Sequence, residues 1–210
     1  MLCEKPFSYN YETSKKVLDL ARENNVFVME ALWTLFLPAI KKAKTWIDEG
    51  KIGKVKMITA NFGFKSEEDI NSRLYNPNLA GGALLDVGIY TILFSNFIID
   101  EIPSSINATT IFTSTNVDES DVISLKYESG ALASLTCSIA SDTDNTAIIY
   151  GEKGKIIVPK FRLCCSKKQH NLFFIKNSLE ILRFLIVEVV KPLHFINVKH
   201  IDYNKDRYGN

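Results

Sequence analysis

The chain of 210 residues carries 25 basic and 24 acidic side chains, a net charge of +1, and 46% apolar residues. At about 150 residues per domain this makes one to two domains, enough to bury a core. The balanced charge excludes a basic stripe for nucleic acid and an acidic tail, and the composition excludes a disordered or fibrous chain.

The charge-free apolar runs fall short of the ~20 residues of a membrane span, and Glu4 and Lys5 interrupt the apolar start where a signal peptide would continue. A cytoplasmic protein with no membrane and no nucleic-acid partner is expected. The four cysteines, Cys3, Cys137, Cys164 and Cys165, include no Cys-x-x-Cys pair, and His170, His194 and His200 form no ligand pattern. No metal site is expected, and the thiols read as free in a reducing compartment. The formal glycosylation sequon Asn107-Ala108-Thr109 reads as chance.

In chain order, caps at Asn10 to Thr13 open a helix with Val17, Leu18 and Ala21 at helical spacing, stopped by Asn24-Asn25. Val26 to Met29 is a continuous apolar run, the pattern of a fully buried strand. Strand, helix and strand in this order suggest the closing unit of a parallel α/β sheet. A second helix places Phe36, Ile40, Ala43 and Ile47 on one face, with Gly50 as its stop. Lys54 to Phe64 reads as a long strand and Ser66 to Asn78 as a polar loop. Ala83 to Phe97 is apolar almost all round, so a helix there must be buried. Beyond Pro103, strands are expected at Ser105–Phe112, Asp121–Tyr127, Ala131–Ile139, Thr146–Tyr150 and Lys155–Val158. The short links Glu128-Ser129-Gly130 and Glu152-Lys153-Gly154 predict antiparallel neighbours in a meander. The tail from Phe161 changes character, and Leu179 to Val190 reads as an amphipathic helix before Pro192.

Two local features carry chemistry. Lys5 precedes a proline, which holds it in an extended or turn conformation at a strand end, and open α/β sheets place their ligands at the carboxyl ends of strands. As an alternative, Lys5 is a surface lysine on a loop. Asp86 and Tyr90 stand four residues apart inside the apolar helix, so a carboxylate and a phenol share one face. A buried carboxylate needs a partner or a polar cavity. A phenol ionises near pH 10, but a neighbouring ammonium would bring that down. The bland alternative is a core tyrosine bonded to Asp86.

Leu2-Cys3-Glu4-Lys5-Pro6, Met29-Glu30-Ala31-Leu32-Trp33-Thr34 and the run Gly81 to Tyr90 (GGALLDVGIY) resemble, in the same order, signatures of the Gfo/Idh/MocA oxidoreductase superfamily. The resemblance runs from residue 1 to about 160. Tyr90, where most of the superfamily has histidine, favours a branch acting on diols and aldoses such as D-xylose. The resemblance implies an α/β (α+β) fold: a remnant of a Rossmann domain over residues 1–30, then over 31–160 a mixed, largely antiparallel open sheet packed on a buried helix, with 161–210 as a divergent tail. It also implies NADP(H) as cofactor, a small-molecule diol or sugar as substrate, and a homodimer through the open sheet. Tyr90, Lys5 and Asp86 would be catalytic, and Glu4, Lys5, Pro6 and Trp33 would contact the cofactor; plain packing is the alternative for Trp33.

The departures are specific. The family's glycine-rich phosphate loop lies upstream of Glu-Lys-Pro, and no G-x-G-x-x-G occurs in this sequence. Leu35 stands where relatives tend to have arginine, and the tail matches the family's last helices poorly. Three readings follow: an incomplete copy of an NADP-dependent dehydrogenase, a pseudoenzyme that keeps the dimerising sheet, and a module that binds a sugar or polyol at Asp86 and Tyr90. Exposed strand edges in residues 1–30 further predict poor solubility or a tight partner.

Overall fold

The computed structural model describes residues 1–159 and the strand Phe173–Lys176. Asn10 caps the first helix, α1 (Tyr11–Glu23), accepting from the Thr13 amide at 2.8 Å, and Asn25 leaves it with a φ of 52°. The helix joins two short parallel strands, β1 (Leu2–Cys3) and β2 (Met29–Glu30), paired Leu2 to Met29 and Cys3 to Glu30. The buried strand expected over Val26 to Met29 is not formed. Val26 is 49% and Phe27 73% exposed, and pairing begins only at Met29. The reason is packing: α1 buries none of its residues and so does not cover that run, of which only Val28 is partly buried.

The proline at position 38 sets the next boundary. Leu37 is extended before it, and Pro38 is the first residue of α2 (Pro38–Asp48). The buried face is Ala39, Ile40, Ala43 and Trp46. Phe36, expected on that face, lies in the preceding 3₁₀ turn (Trp33–Phe36) and is exposed.

The seven-stranded sheet runs β4-β5-β6-β3-β7-β8-β9: β3 (Val55–Gly63), β4 (Ser105–Phe112), β5 (Asp118–Lys126), β6 (Leu132–Ser138), β7 (Ala147–Gly151), β8 (Gly154–Val158) and β9 (Phe173–Lys176). The strands expected from Lys54 onward all form, with ends shifted by a few residues. Two features depart from the meander. β3 enters between β6 and β7, parallel to β6 with Ile58 opposite Ala133, so the link from β6 to β7 crosses over it. β9 joins the β8 edge from within the tail. The helix expected over Leu179 to Val190 lies outside the described residues, as do Cys164, Cys165 and the histidines.

Alternation decides the faces. On β6, Ala133, Leu135 and Cys137 point into the core while Leu132 is 51% exposed. The core fills the space between this face and two helices, α2 and the apolar segment after Gly82. That segment opens with a π turn, Leu84–Gly88, and continues as α3 (Ile89–Ile99), which Asp100 ends at a φ of 63°. Pro77–Ile99 is long and apolar enough by composition to cross a membrane, although Asp86 divides it, so no charge-free run within it reaches that length. More than half of it is buried, with Phe94 and Ile98 in the core.

Candidate active site

The site is assembled around the π turn. Wide turns of this kind insert extra backbone into a helix and occur often at functional sites. Two anchors hold the turn. Asp118 at the start of β5 accepts a hydrogen bond from the Leu84 amide. Gly82, at a φ of 110°, passes so close to Asp118 that a Cβ would lie 2.1 Å from its Oδ1, a position only glycine tolerates. Burial raises the Asp118 carboxyl above its ordinary value, the Leu84 amide opposes this, and the Asp121 carboxyl beside it adds to the rise.

Asp86 lies in this turn and is 6% exposed. Its Oδ1 accepts from two cations, the Lys5 ammonium at 2.9 Å and the Arg73 guanidinium at 2.6 Å. Lys5 also donates to the Asp86 backbone carbonyl at 2.6 Å. Burial alone would push this carboxyl up, but the bonds from Lys5 and Arg73 outweigh it and hold the group below its ordinary value.

Lys5 comes from the bend after β1. Glu30, at the end of β2, ties that bend down by accepting from the Phe7 amide at 2.7 Å. Lys5 therefore sits at the carboxyl end of a parallel strand, as the sequence predicts, and its Nζ stands 5.3 Å from the centre of the Tyr90 ring. Tyr90 is 6% exposed; Trp33 meets it edge-on at 6.1 Å between ring centres, and Phe62 lies tilted against it at 5.4 Å. A cleft of about 200 Å³ opens here, lined by Lys5, Trp33, Phe62, Phe64, Asp86, Val87 and Tyr90.

The structure thus brings together Lys5, Asp86, Tyr90 and Trp33. Glu4 and Pro6 flank the cleft without lining it: Glu4 is exposed and Pro6 follows a cis peptide bond. Leu35 packs against the core. Sequence reasoning missed Phe62 and Phe64, whose i, i+2 spacing put them on one face of a strand but gave no sign of which helix they would meet. It also missed Arg73 and the Glu30 tie, because neither a loop arginine nor a strand-end glutamate carries any periodic signal.

The GFO/IDH/MocA C-terminal domain family matches residues 40–157. The chain belongs to the GFO/IDH/MocA family. It is 34% identical over 207 residues to a trans-1,2-dihydrobenzene-1,2-diol dehydrogenase of Danio rerio, covering 98% of this chain and 59% of that protein. With the Mus musculus protein of the same name the identity is 37% over 163 residues, 76% of this chain and 48% of the relative. The chain thus spans about half the length of the curated relatives it matches. Among solved structures, an aldose-aldose oxidoreductase from Caulobacter crescentus, complexed with glycerol, superposes with a TM-score of 0.70 at 21% identity, over 76% of this chain and 49% of that one. A 3-ketoreductase from Actinomadura kijaniata, solved with NADP, gives 0.68 at 22%, over the same shares. The structural likenesses establish the shared fold.

Proposed function

We propose that this GFO/IDH/MocA chain provides the substrate side of an NADP(H)-dependent dehydrogenase that acts on a carbinol carbon of a diol or sugar. One observation carries the reading: Lys5, Asp86 and Tyr90, drawn from two distant segments, converge on one cleft with aromatic walls. Trp33, Phe62 and Phe64 offer flat apolar surfaces, and the cations and phenol offer polar groups on one side. That combination suits a ring bearing adjacent hydroxyls, a cyclic diol more than an open polyol, and agrees with the dihydrodiol named for the Danio rerio relative.

The residues fit the nicotinamide end of a dinucleotide. Lys5 and Trp33 follow the carboxyl ends of β1 and β2, where α/β sheets place such ligands, with Glu4 and Pro6 as flanking contacts. Bound there, the nicotinamide supplies the hydride acceptor or donor. Tyr90 takes the proton from the substrate hydroxyl at its phenolic oxygen and returns it in the reverse direction. Lys5 donates to that hydroxyl and supplies positive charge beside the phenol, and Asp86 holds Lys5 in place. The NADP bound in the Actinomadura kijaniata structure supports this choice of nicotinamide.

The open face of the sheet exposes Met57, Val122 and Leu132 among serines and threonines, and we assign it to a homodimer. A cytoplasmic setting suits the free thiols of Cys3 and Cys137.

The test is oxidation of trans-1,2-dihydrobenzene-1,2-diol, and then of D-xylose, by a complete homologue with NADP⁺, read as reduced nicotinamide, with the substitution made at the tyrosine that matches Tyr90. Tyr90→Phe is expected to lose at least about 10²-fold in turnover while binding NADP⁺ as before. Turnover retained in that variant would move the acid/base role elsewhere. A chain that binds neither NADP⁺ nor substrate beside an active complete homologue would give this chain the reading of a non-catalytic module.

A further inference from the structure

Arg73 belongs to none of the motifs that point to the site, yet its guanidinium reaches the same carboxylate oxygen as Lys5. Its placement is built. Arg73 begins a 3₁₀ turn (Arg73–Tyr75), and Tyr75, 2% exposed, anchors that turn through its hydroxyl to Ser66 Oγ at 2.8 Å. The carbonyls of Arg73, Leu74 and Asn76 all point at Gly81, so tightly that a Cβ there would lie 2.6 to 2.9 Å from them. The loop is thereby clamped to the segment that leads into the π turn, and Arg73 is delivered to Asp86 from the solvent side.

Two cations on one carboxylate leave the cluster with a net positive charge. A Lys5–Asp86 pair alone would be neutral, and its field at Tyr90 would largely cancel. Arg73 adds its own positive charge to the cluster, so the phenol ring, 5.3 Å from the Lys5 ammonium, faces two cations and one carboxylate. A guanidinium also stays charged throughout the range in which a phenol ionises, which an ammonium does not. Among the described residues, the charged groups toward Tyr90 are Lys5 from the β1 bend and Asp86 from its own helical segment, with Arg73 bonded to Asp86. β3 and the 3₁₀ turn after β2 present Phe62 and Trp33. On the far side, Cys137 lies under Gly88 with its thiol donating to Asp121, and Asp118 holds the Leu84 amide.

We infer that Arg73 is a positioning residue of this site: by joining Lys5 on Asp86 Oδ1, it keeps the Lys5–Asp86–Arg73 cluster net positive toward Tyr90 and so favours the phenolate. The inference rests on the acid/base reading of Tyr90 for its functional meaning, but its test does not require turnover.

The experiment is an ultraviolet titration of the phenols in the 210-residue chain, with the Tyr90 contribution isolated as the difference from Tyr90→Phe, over the range in which circular dichroism shows the fold intact. Arg73→Gln is expected to move the Tyr90 midpoint up by roughly half a pH unit, about a threefold loss of phenolate at a fixed alkaline pH. Arg73→Lys restores most of the shift, and Asp86→Asn moves the midpoint the other way. If Arg73→Gln does not fold, the wild type decides. Arg73 is half exposed while Asp86 is not, so raising the salt screens the guanidinium first and lifts the midpoint. A midpoint unmoved by Arg73→Gln in a folded chain, or by salt in the wild type, overturns the inference. A chain that shows these shifts, beside a complete homologue that keeps its turnover without the matching tyrosine, would sink the acid/base reading and leave the inference about Arg73 standing.

Discussion

Lys5 and Asp86 are 81 residues apart in the chain, and the Lys5 ammonium binds both the backbone carbonyl of Asp86 at 2.6 Å and its Oδ1 at 2.9 Å. One side chain therefore joins the β1–β2 unit to the helical segment that packs on the large sheet. Its bond to the carbonyl holds the backbone of the π turn as well as the carboxylate, so Lys5 is a structural clasp before it is anything chemical.

That clasp has a pH signature. The folded Asp86 carboxyl is held below its ordinary value of 3.8. Its contribution to stability is thus present above that value and is lost as pH falls through the lower, folded one. Lys5→Met should narrow the difference, so that the variant is less stable near neutral pH and loses less on acidification. We expect a deficit of about 2 kcal/mol at neutral pH, below the ~3–5 of a fully buried pair because Arg73 still serves the carboxylate. Urea unfolding followed from neutral to acid pH measures it, and parallel curves for the two proteins would rule the linkage out.

Gly81 is the hinge pin of the Arg73 loop. Its neighbours at the missing Cβ are three backbone carbonyls rather than side-chain ends, and these cannot swing aside. Gly81→Ala should cost about 1–3 kcal/mol in unfolding free energy. A cost under about 0.5 kcal/mol would mean that the loop yields freely.

Cys137 is 2% exposed, and its thiol donates to Asp121 Oδ2 at 3.1 Å. Burial, reinforced by the Asp121 carboxylate, pushes the thiol far above its ordinary value. The thiolate is the reactive form, so iodoacetamide should modify Cys3 in the native chain and Cys137 only after unfolding. Peptide mass spectrometry separates the two sites. Native labelling of Cys137 at a rate comparable to Cys3 would show that the β5–β6 face opens readily.

Ser134 on β6 sits opposite Thr59 on β3, at the centre of the open face. In a dimer related by a twofold axis, a charge placed there meets or approaches its own copy. Sedimentation of the wild type is expected to give a dimer, and Ser134→Glu a monomer with unchanged circular dichroism. A wild-type monomer at micromolar concentration would remove the open face as the interface.

Most of the strands and helices could be read from local pattern. Asp121 to Tyr127 alternates in burial and is followed by the turn Glu128-Ser129-Gly130, the polar Asp86 and Tyr90 stand out in an apolar helix at one-face spacing, and Glu4-Lys5-Pro6 marks a strand end. These signals lie within a few residues of one another, where period and steric preference act directly. Val26 to Met29 failed because an apolar run reports only that a chain segment needs cover, and cover is supplied by other elements. Pro38 shifted α2 by restricting the residue before it, a rule that was legible but outweighed by the helical periodicity of Phe36.

What the sequence determined by itself was the identity of the elements and the presence of Lys5, Asp86 and Tyr90 as anomalies against their surroundings. Only the tertiary structure decided that β3 inserts beside β6, which carries Phe62 and Phe64 under the π turn, and that Arg73 arrives at Asp86 from a loop. Pairing order and ion-pair partners depend on contacts between residues far apart in the chain. Their free energy comes from burial and charge compensation in the folded state, and no local periodicity encodes it.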